Sequence, residues 1–168
     1  MFPVQSIYDA AFDERLFPDL VRQLADHFGA QAGFIGWANE KTQAGFQAEY
    51  GNDPVWLQRY VETYAALDIL RPVLMDAPEG EPLPVHALLQ TPDVPASRFY
   101  REYIAPQRIV DNLAVNLIKR DGIFATIAIL RTNNAPPFES DHVEAMRALV
   151  PHLRRAVFLS SYRIHQAD

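Results

Sequence analysis

The chain has 168 residues, 49% of them apolar, with ten Phe, seven Tyr, two Trp and no Cys. Fifteen Lys and Arg against 21 Asp and Glu leave a net charge of −6, which argues against nucleic acid or an anionic membrane as a direct partner. The missing cysteines exclude disulfides, thiolate metal sites and cysteine nucleophiles. The expectation is one cytoplasmic domain with a sizeable core: no signal-peptide pattern opens the chain, and the strongly apolar run "GIFATIAIL" at 122–130 is far short of the roughly 20 residues that span a bilayer.

In chain order, Ser6 and Asp9 suggest a capping box at the start of a helix over 7–14. Phe17, Leu20, Val21, Leu24 and Phe28 recur at threes and fours, the pattern of a helix with one buried face, and Gly29 closes it. Residues 30–38 and 44–50 read as strands joined by a turn at 39–43, with Phe34 on one face and Ile35 and Trp37 on the other. Asp53 and Pro54 open a helix that ends near Leu67.

Six prolines in residues 72–97 predict a long ordered crossover, carrying one short helix at 85–89 and a second at 97–104. Residues 110–132 form the clearest supersecondary signal, a hairpin turning at Asp121 and Gly122, apolar on both faces and so covered on both sides. A last helix begins near Ser140. Its Val143, Met146, Val150, Leu153 and Val157 form either a dimer seam or a face packed on the domain's own sheet, and Pro151 should kink or interrupt it. The order predicts an α+β fold: an antiparallel sheet covered by helices on both faces, the α-β-α sandwich of GAF- and PAS-like sensory folds.

Little of the sequence points to catalysis or metal. No two of the five histidines stand at i, i+4; His142 and His152 are ten apart, which on one helix separates them by roughly 15 Å. There is no G-x-S-x-G elbow and no glycine-rich phosphate loop, and the spacing of Glu102 and Asp111 supports no acid–base pair. The arginine-bearing run "SRFYREYIAPQRI" at 97–109 reads as an aromatic helix over the sheet, since three arginines neutralise only a few phosphates. A non-enzymatic domain without metal or cofactor is expected.

The stretch "DPVWLQRYVETYAALDIL" at 53–70 carries the candidate site. Each four-residue step of a helix advances 400 degrees, so Trp56, Tyr60 and Tyr64 share one stripe that drifts by about 40 degrees per step. Asp68 falls at the helix end, where the dipole disfavours it inside a helix and where it can cap a turn over "ILRP". The stripe is either core with Asp68 as a cap, or the wall of an apolar pocket in which Asp68 accepts a hydrogen bond from a small molecule. Trp37 is a further wall candidate from its strand position.

Three segments resemble the sensory region of LuxR-type helix-turn-helix transcriptional regulators: "IYDAAFDERLFPDLVRQLADHFGAQAG" at 7–33, "FYREYIAPQRIVDNL" at 99–113 and "PPFESDHVEAMRALVPHLRRAV" at 136–157. Trp56, Tyr60 and Asp68 are similar to the aromatic pair and aspartate of the family's acyl-homoserine-lactone receptors, although Ile69 stands where those receptors usually place proline. The resemblance implies that the aromatic pair contacts the lactone or acyl carbonyl, and that Asp68 accepts from the amide. It also implies a small-molecule effector such as an acyl-homoserine lactone, a homodimer, and DNA contacts made only through a C-terminal domain outside this chain. The alternative is a ligand-free structural dimerisation module.

Overall fold

A computed structural model describes residues 1–167, with side chains described through Arg163. Five strands make one antiparallel sheet in the order β2-β1-β5-β4-β3: β1 (Ala32–Asn39), β2 (Gly45–Tyr50), β3 (Leu83–Pro84), β4 (Ile109–Arg120) and β5 (Ile123–Thr132). The hairpin of β4 and β5 turns where expected, with Asp121 and Gly122 both at positive φ. Four strands were legible in the sequence. The two-residue β3 was not, because it contains Pro84 and survives as an edge pairing Leu83 with Ala114 and Pro84 with Leu113.

Alternation along the strands separates two layers. On the first face, Ile35 and Trp37 of β1, Leu113, Val115 and Leu117 of β4, and Ala125, Ile127 and Ile129 of β5 are buried in one core. Helices α1 (Val4–Phe12), α2 (Phe17–His27) and α7 (Ser140–Ala167) complete that core with Ile7, Phe17, Leu20, Leu24, Met146 and Leu153. Helix α2 ends as its sequence suggested, with Gly29 at positive φ and the Ala30 amide donating to Ala25. Helix α1 starts earlier than expected, at Val4, and no side chain caps it; Ser6 lies inside its first turn rather than ahead of it.

One expectation about α7 is corrected and one open choice is decided. The helix runs through Pro151 without interruption, and Pro151 stands on its exposed side, where its ring meets no packed neighbour. The apolar seam faces inward: Met146, Val150, Leu153 and Val157 are all buried in the chain's own core, with Val143 packed against it. The seam is therefore not an open dimer face.

The crossover from 71 to 104 is more regular than a proline-rich loop. It contains α4 (Arg71–Asp76), β3, α5 (His86–Leu89) and α6 (Asp93–Ala96), which pack a second apolar cluster from Leu70, Val85, Leu89, Val94, Phe99 and Ile104. Asn116 on the second face of β4 donates to the Leu74 and Ala77 carbonyls, at 2.7 and 3.1 Å, and so ties α4 to the sheet. A helix-covered antiparallel sheet results, as the sequence predicted.

One buried carboxylate joins the layers. Asp111 is wholly buried, and its Oδ1 accepts from the amides of Val85, His86 and Asn112 at 2.8–2.9 Å, while Oδ2 accepts from Phe138 at 2.9 Å. Four hydrogen bonds from the backbone satisfy a group that would otherwise be costly to bury.

Candidate functional site

The predicted helix at 53–67 is present, but it is built from three kinds of turn. Asp53 caps it by accepting from the Val55 amide at 2.9 Å, and α3 (Pro54–Arg59) then widens into a π-helical turn at Tyr60–Tyr64 and tightens into a 3₁₀ turn at Ala65–Leu67. A second π-helical turn, Tyr100–Ile104, belongs to the same cluster. Such wide turns are rare and gather at functional sites.

Side chains of the two turns meet around Tyr103. Its ring centroid lies 5.7 Å from that of Trp56, edge-on, and 5.4 and 5.3 Å from those of Tyr60 and Tyr64, both tilted. Phe99 stacks on it at 5.2 Å, with only 19° between the planes. On its own side of the cluster, Trp56 carries the Arg59 guanidinium 4.8 Å over its ring.

Asp68 closes the array. Its Oδ2 accepts from the Tyr60 hydroxyl at 2.8 Å, and its Oδ1 accepts from the amides of Leu70 and Arg71 at 2.9 and 3.1 Å, capping the turn that opens α4. Burial pushes the Asp68 carboxyl above its ordinary range, although the Tyr60 hydroxyl, the two amides and the Arg71 charge all oppose the shift. Burial, followed by the neighbouring Asp68 charge, likewise pushes the Tyr60 hydroxyl well above the usual tyrosine range. Tyr64 donates to Glu102 at 3.3 Å, and Arg98 holds the other oxygen of Glu102 at 2.5 Å.

The structure thus brings together Trp56, Tyr60, Tyr64 and Asp68, and it leaves Trp37 out. Trp37 is 4% exposed in the core of the first face, because β1 alternation points its odd-numbered residues at α2, away from the aromatic cluster. Sequence reasoning missed Tyr103 as a member of the site. The signal was present in "FYREYI", whose Phe99 and Tyr103 are four residues apart and so share a helical face.

Beside Trp56 lies a cleft of about 210 Å³, bounded by Ala32 and Leu130 of the sheet, Asn52 and Asp53 before α3, and Gln107 one turn after Tyr103. Tyr60, Tyr64 and Asp68 do not line it. Among the described residues, no group of three or more His, Cys, Asp or Glu is placed to hold a metal ion, and no helix is long and apolar enough to cross a membrane.

A sheet with helices on both faces and an aromatic cluster on one of them defines an α-β-α sandwich. Residues 14–157 match the GAF domain family, and the chain belongs to that family. The fold is shared with an N-acylhomoserine-lactone-dependent LuxR family transcription factor, CepR2 of Burkholderia cenocepacia, at a TM-score of 0.67 and 19% identity, covering 98% of this chain and 96% of that one. The ligand-binding domain of VqsR from Pseudomonas aeruginosa also gives 0.67, at 15% identity over 96% of this chain and 94% of that one. SdiA of Escherichia coli gives 0.57 at 14% identity, covering 98% of this chain and 63% of that one. These identities establish likeness of fold alone. A search of curated protein sequences gives no match.

Proposed function

We propose that this chain is a ligand-sensing domain of the LuxR type, binding a small molecule on the second face of its sheet beside Trp56, Tyr60, Tyr64 and Asp68. The observation that carries the reading is the meeting of two π-helical turns whose aromatic rings surround one point, with a partly buried carboxylate at the edge. Rigid ring walls with a few directed polar groups are what selective binding of a small molecule needs, and no nucleophile or acid–base pair stands there. An acyl-homoserine lactone is one candidate effector, by analogy with the lactone-dependent regulator of the same fold. In this reading the domain acts in the cytoplasm as a homodimer. Ligand binding favours one of two dimer arrangements and so controls a DNA-binding domain outside this chain.

The test is a thermal-shift and native mass spectrometry screen with N-octanoyl-homoserine lactone and fractionated culture extracts. The expected result is a compound that raises the wild-type Tm by several degrees, adds its mass to the protein, and loses both effects in Trp56→Ala and Asp68→Asn. A screen in which nothing stabilises the wild type sinks the reading. The rival, a ligand-free structural module, is favoured by one observation: Tyr103 already fills the space between the rings. It predicts that null result.

A further inference from the structure

Residues 68–82 run from the aromatic cluster, past the open edge of the sheet, to α7. At their start, Asp68 accepts from the Leu70 and Arg71 amides with one oxygen and from the Tyr60 hydroxyl with the other, and so ties the first turn of α4 to the cluster. The far end of that six-residue helix is held from β4. Asn116 donates to the Leu74 and Ala77 carbonyls, and the Lys119 ammonium donates to those of Met75 and Ala77 at 2.5 and 3.1 Å. A helix this short does not persist in water by itself, so the side chains at its two ends fix it.

Beyond α4 the segment takes the place of a longer edge strand. β3 pairs with β4 at Leu113 and Ala114 only, and groups further along that edge turn to the segment instead. The Asn116 carbonyl accepts from the Gly80 amide at 2.8 Å, and the Lys119 amide donates to Glu79 at 2.7 Å. Gly80, at φ +85°, lies so near α7 that a Cβ there would stand 3.7 Å from a Val150 methyl. From the same turn Glu79 pairs with Arg154 of α7 at 2.6 Å, and Glu81 pairs with Arg147 at 3.1 Å. Of residues 71–82 only Pro82 is buried, although Leu74 packs on the second cluster. A segment held by directed polar contacts, with little apolar burial, opens at lower cost than the cores on either side of it.

We propose that residues 68–82 are a strap with a docked and a released arrangement, in which the Asp68 cap and the Glu79 clamp form and break together. The proposal rests on the sensing reading and gives its site a route to α7: whatever weakens the Asp68 cap weakens the hold of Glu79 and Glu81 on that helix. Coupling of this kind is reciprocal, so weakening the clamp loosens the cap by the same factor.

Amide hydrogen exchange of the full chain, followed by NMR in wild type, Asp68→Ala and Glu79→Gln, tests it. Gly80 and Lys119 report on the clamp, Leu70 and Arg71 on the cap, and Ile127 of the central β5 on global unfolding. In the wild type we expect the four strap amides to share one level of protection, below that of Ile127. Asp68→Ala should speed exchange at Gly80 and Lys119 at least about fivefold, and Glu79→Gln should do the same at Leu70 and Arg71. Where Asp68→Ala does not unfold cooperatively, the Glu79→Gln arm decides alone. Wild-type rates at Gly80 and Lys119 in Asp68→Ala, or at Leu70 and Arg71 in Glu79→Gln, show that the two ends open independently and overturn the proposal. Strap amides as protected as Ile127 overturn it too, because the strap then opens only when the whole chain unfolds. The exchange experiment uses no ligand, so its failure leaves the sensing role standing, and that role fails separately, on the extract screen.

Discussion

Asp68 makes three hydrogen bonds within its own chain, to the Tyr60 hydroxyl and to two amides at the start of α4. It is therefore a cap, as one of the two sequence readings had it, and it stands at the polar edge of the aromatic cluster. Removing the hydroxyl isolates the cost of the pair: Tyr60→Phe should destabilise the fold by about 1–2 kcal/mol at neutral pH, since a buried charged acceptor loses a donor. Because burial raises the Asp68 carboxyl, its proton is bound more tightly in the folded chain. Protonation therefore favours folding, and Asp68's contribution weakens as pH rises through its folded-state titration. The Tyr60→Phe penalty should accordingly be larger at about pH 7 than at about pH 3.5, where a protonated carboxyl needs the donor less. Urea unfolding of both proteins at both pH values checks this, and a pH-independent difference would show that the charge on Asp68 does not change across that range. The spacing of Trp56, Tyr60 and Tyr64 was legible at this scale from helical geometry alone. The hydroxyl of Tyr60 as the partner of Asp68 was not, since it depends on the chain turning at 65–68 through a tighter helix.

Among the elements, the crossover was the hardest to read and is held by charge as much as by apolar packing. Glu79, ahead of β3, accepts from the Lys119 amide at 2.7 Å, pairs with Arg154 of α7 at 2.6 Å, and is hydrogen-bonded by Arg120. The Arg120 guanidinium first, with the Lys119 amide and Arg154 behind it, holds the Glu79 carboxyl down at about 2. Its folded value is thus below the unfolded one, about 4.3, so Glu79 stabilises the fold above that pH and loses its contribution as pH falls from there towards 2. Glu79→Gln should cost about 1 kcal/mol at neutral pH, and the gap to wild type should close as the solution is acidified through that window. Melting curves across the acid range measure it; a gap that stays constant would assign the loss to packing. Proline density correctly predicted a broken path here, but the short β3 is fixed by a partner strand more than 20 residues away, which local pattern does not contain.

Across the whole molecule, the sheet divides the chain into a core packed by α1, α2 and α7 and a second cluster packed by the crossover. Period-two alternation predicted the doubly covered hairpin and put Trp37 on the face opposite Phe34, but it did not say which face the aromatic cluster would occupy, and the sheet separates Trp37, a wall candidate by strand position, from that cluster. What alternation left open was the partner of the α7 seam, because a heptad-like stripe suits a second helix and a domain's own sheet equally. The buried seam decides for the sheet. Leu153→Ala should therefore destabilise the chain by about 2–5 kcal/mol without lowering its sedimentation mass at any concentration at which it remains folded. A variant that stays as stable as wild type but dissociates would return the seam to an interface.

Asp111 gives these layers a shared fate. One carboxylate accepts amides from Val85 and His86 in the crossover and from Phe138 just ahead of α7, so neither segment can lift away without leaving a buried acceptor short of donors. In terms of amide exchange, segments some 50 residues apart in sequence should open together more readily than either opens alone. A disturbance beginning over the aromatic cluster would reach the start of the last helix through a single side chain.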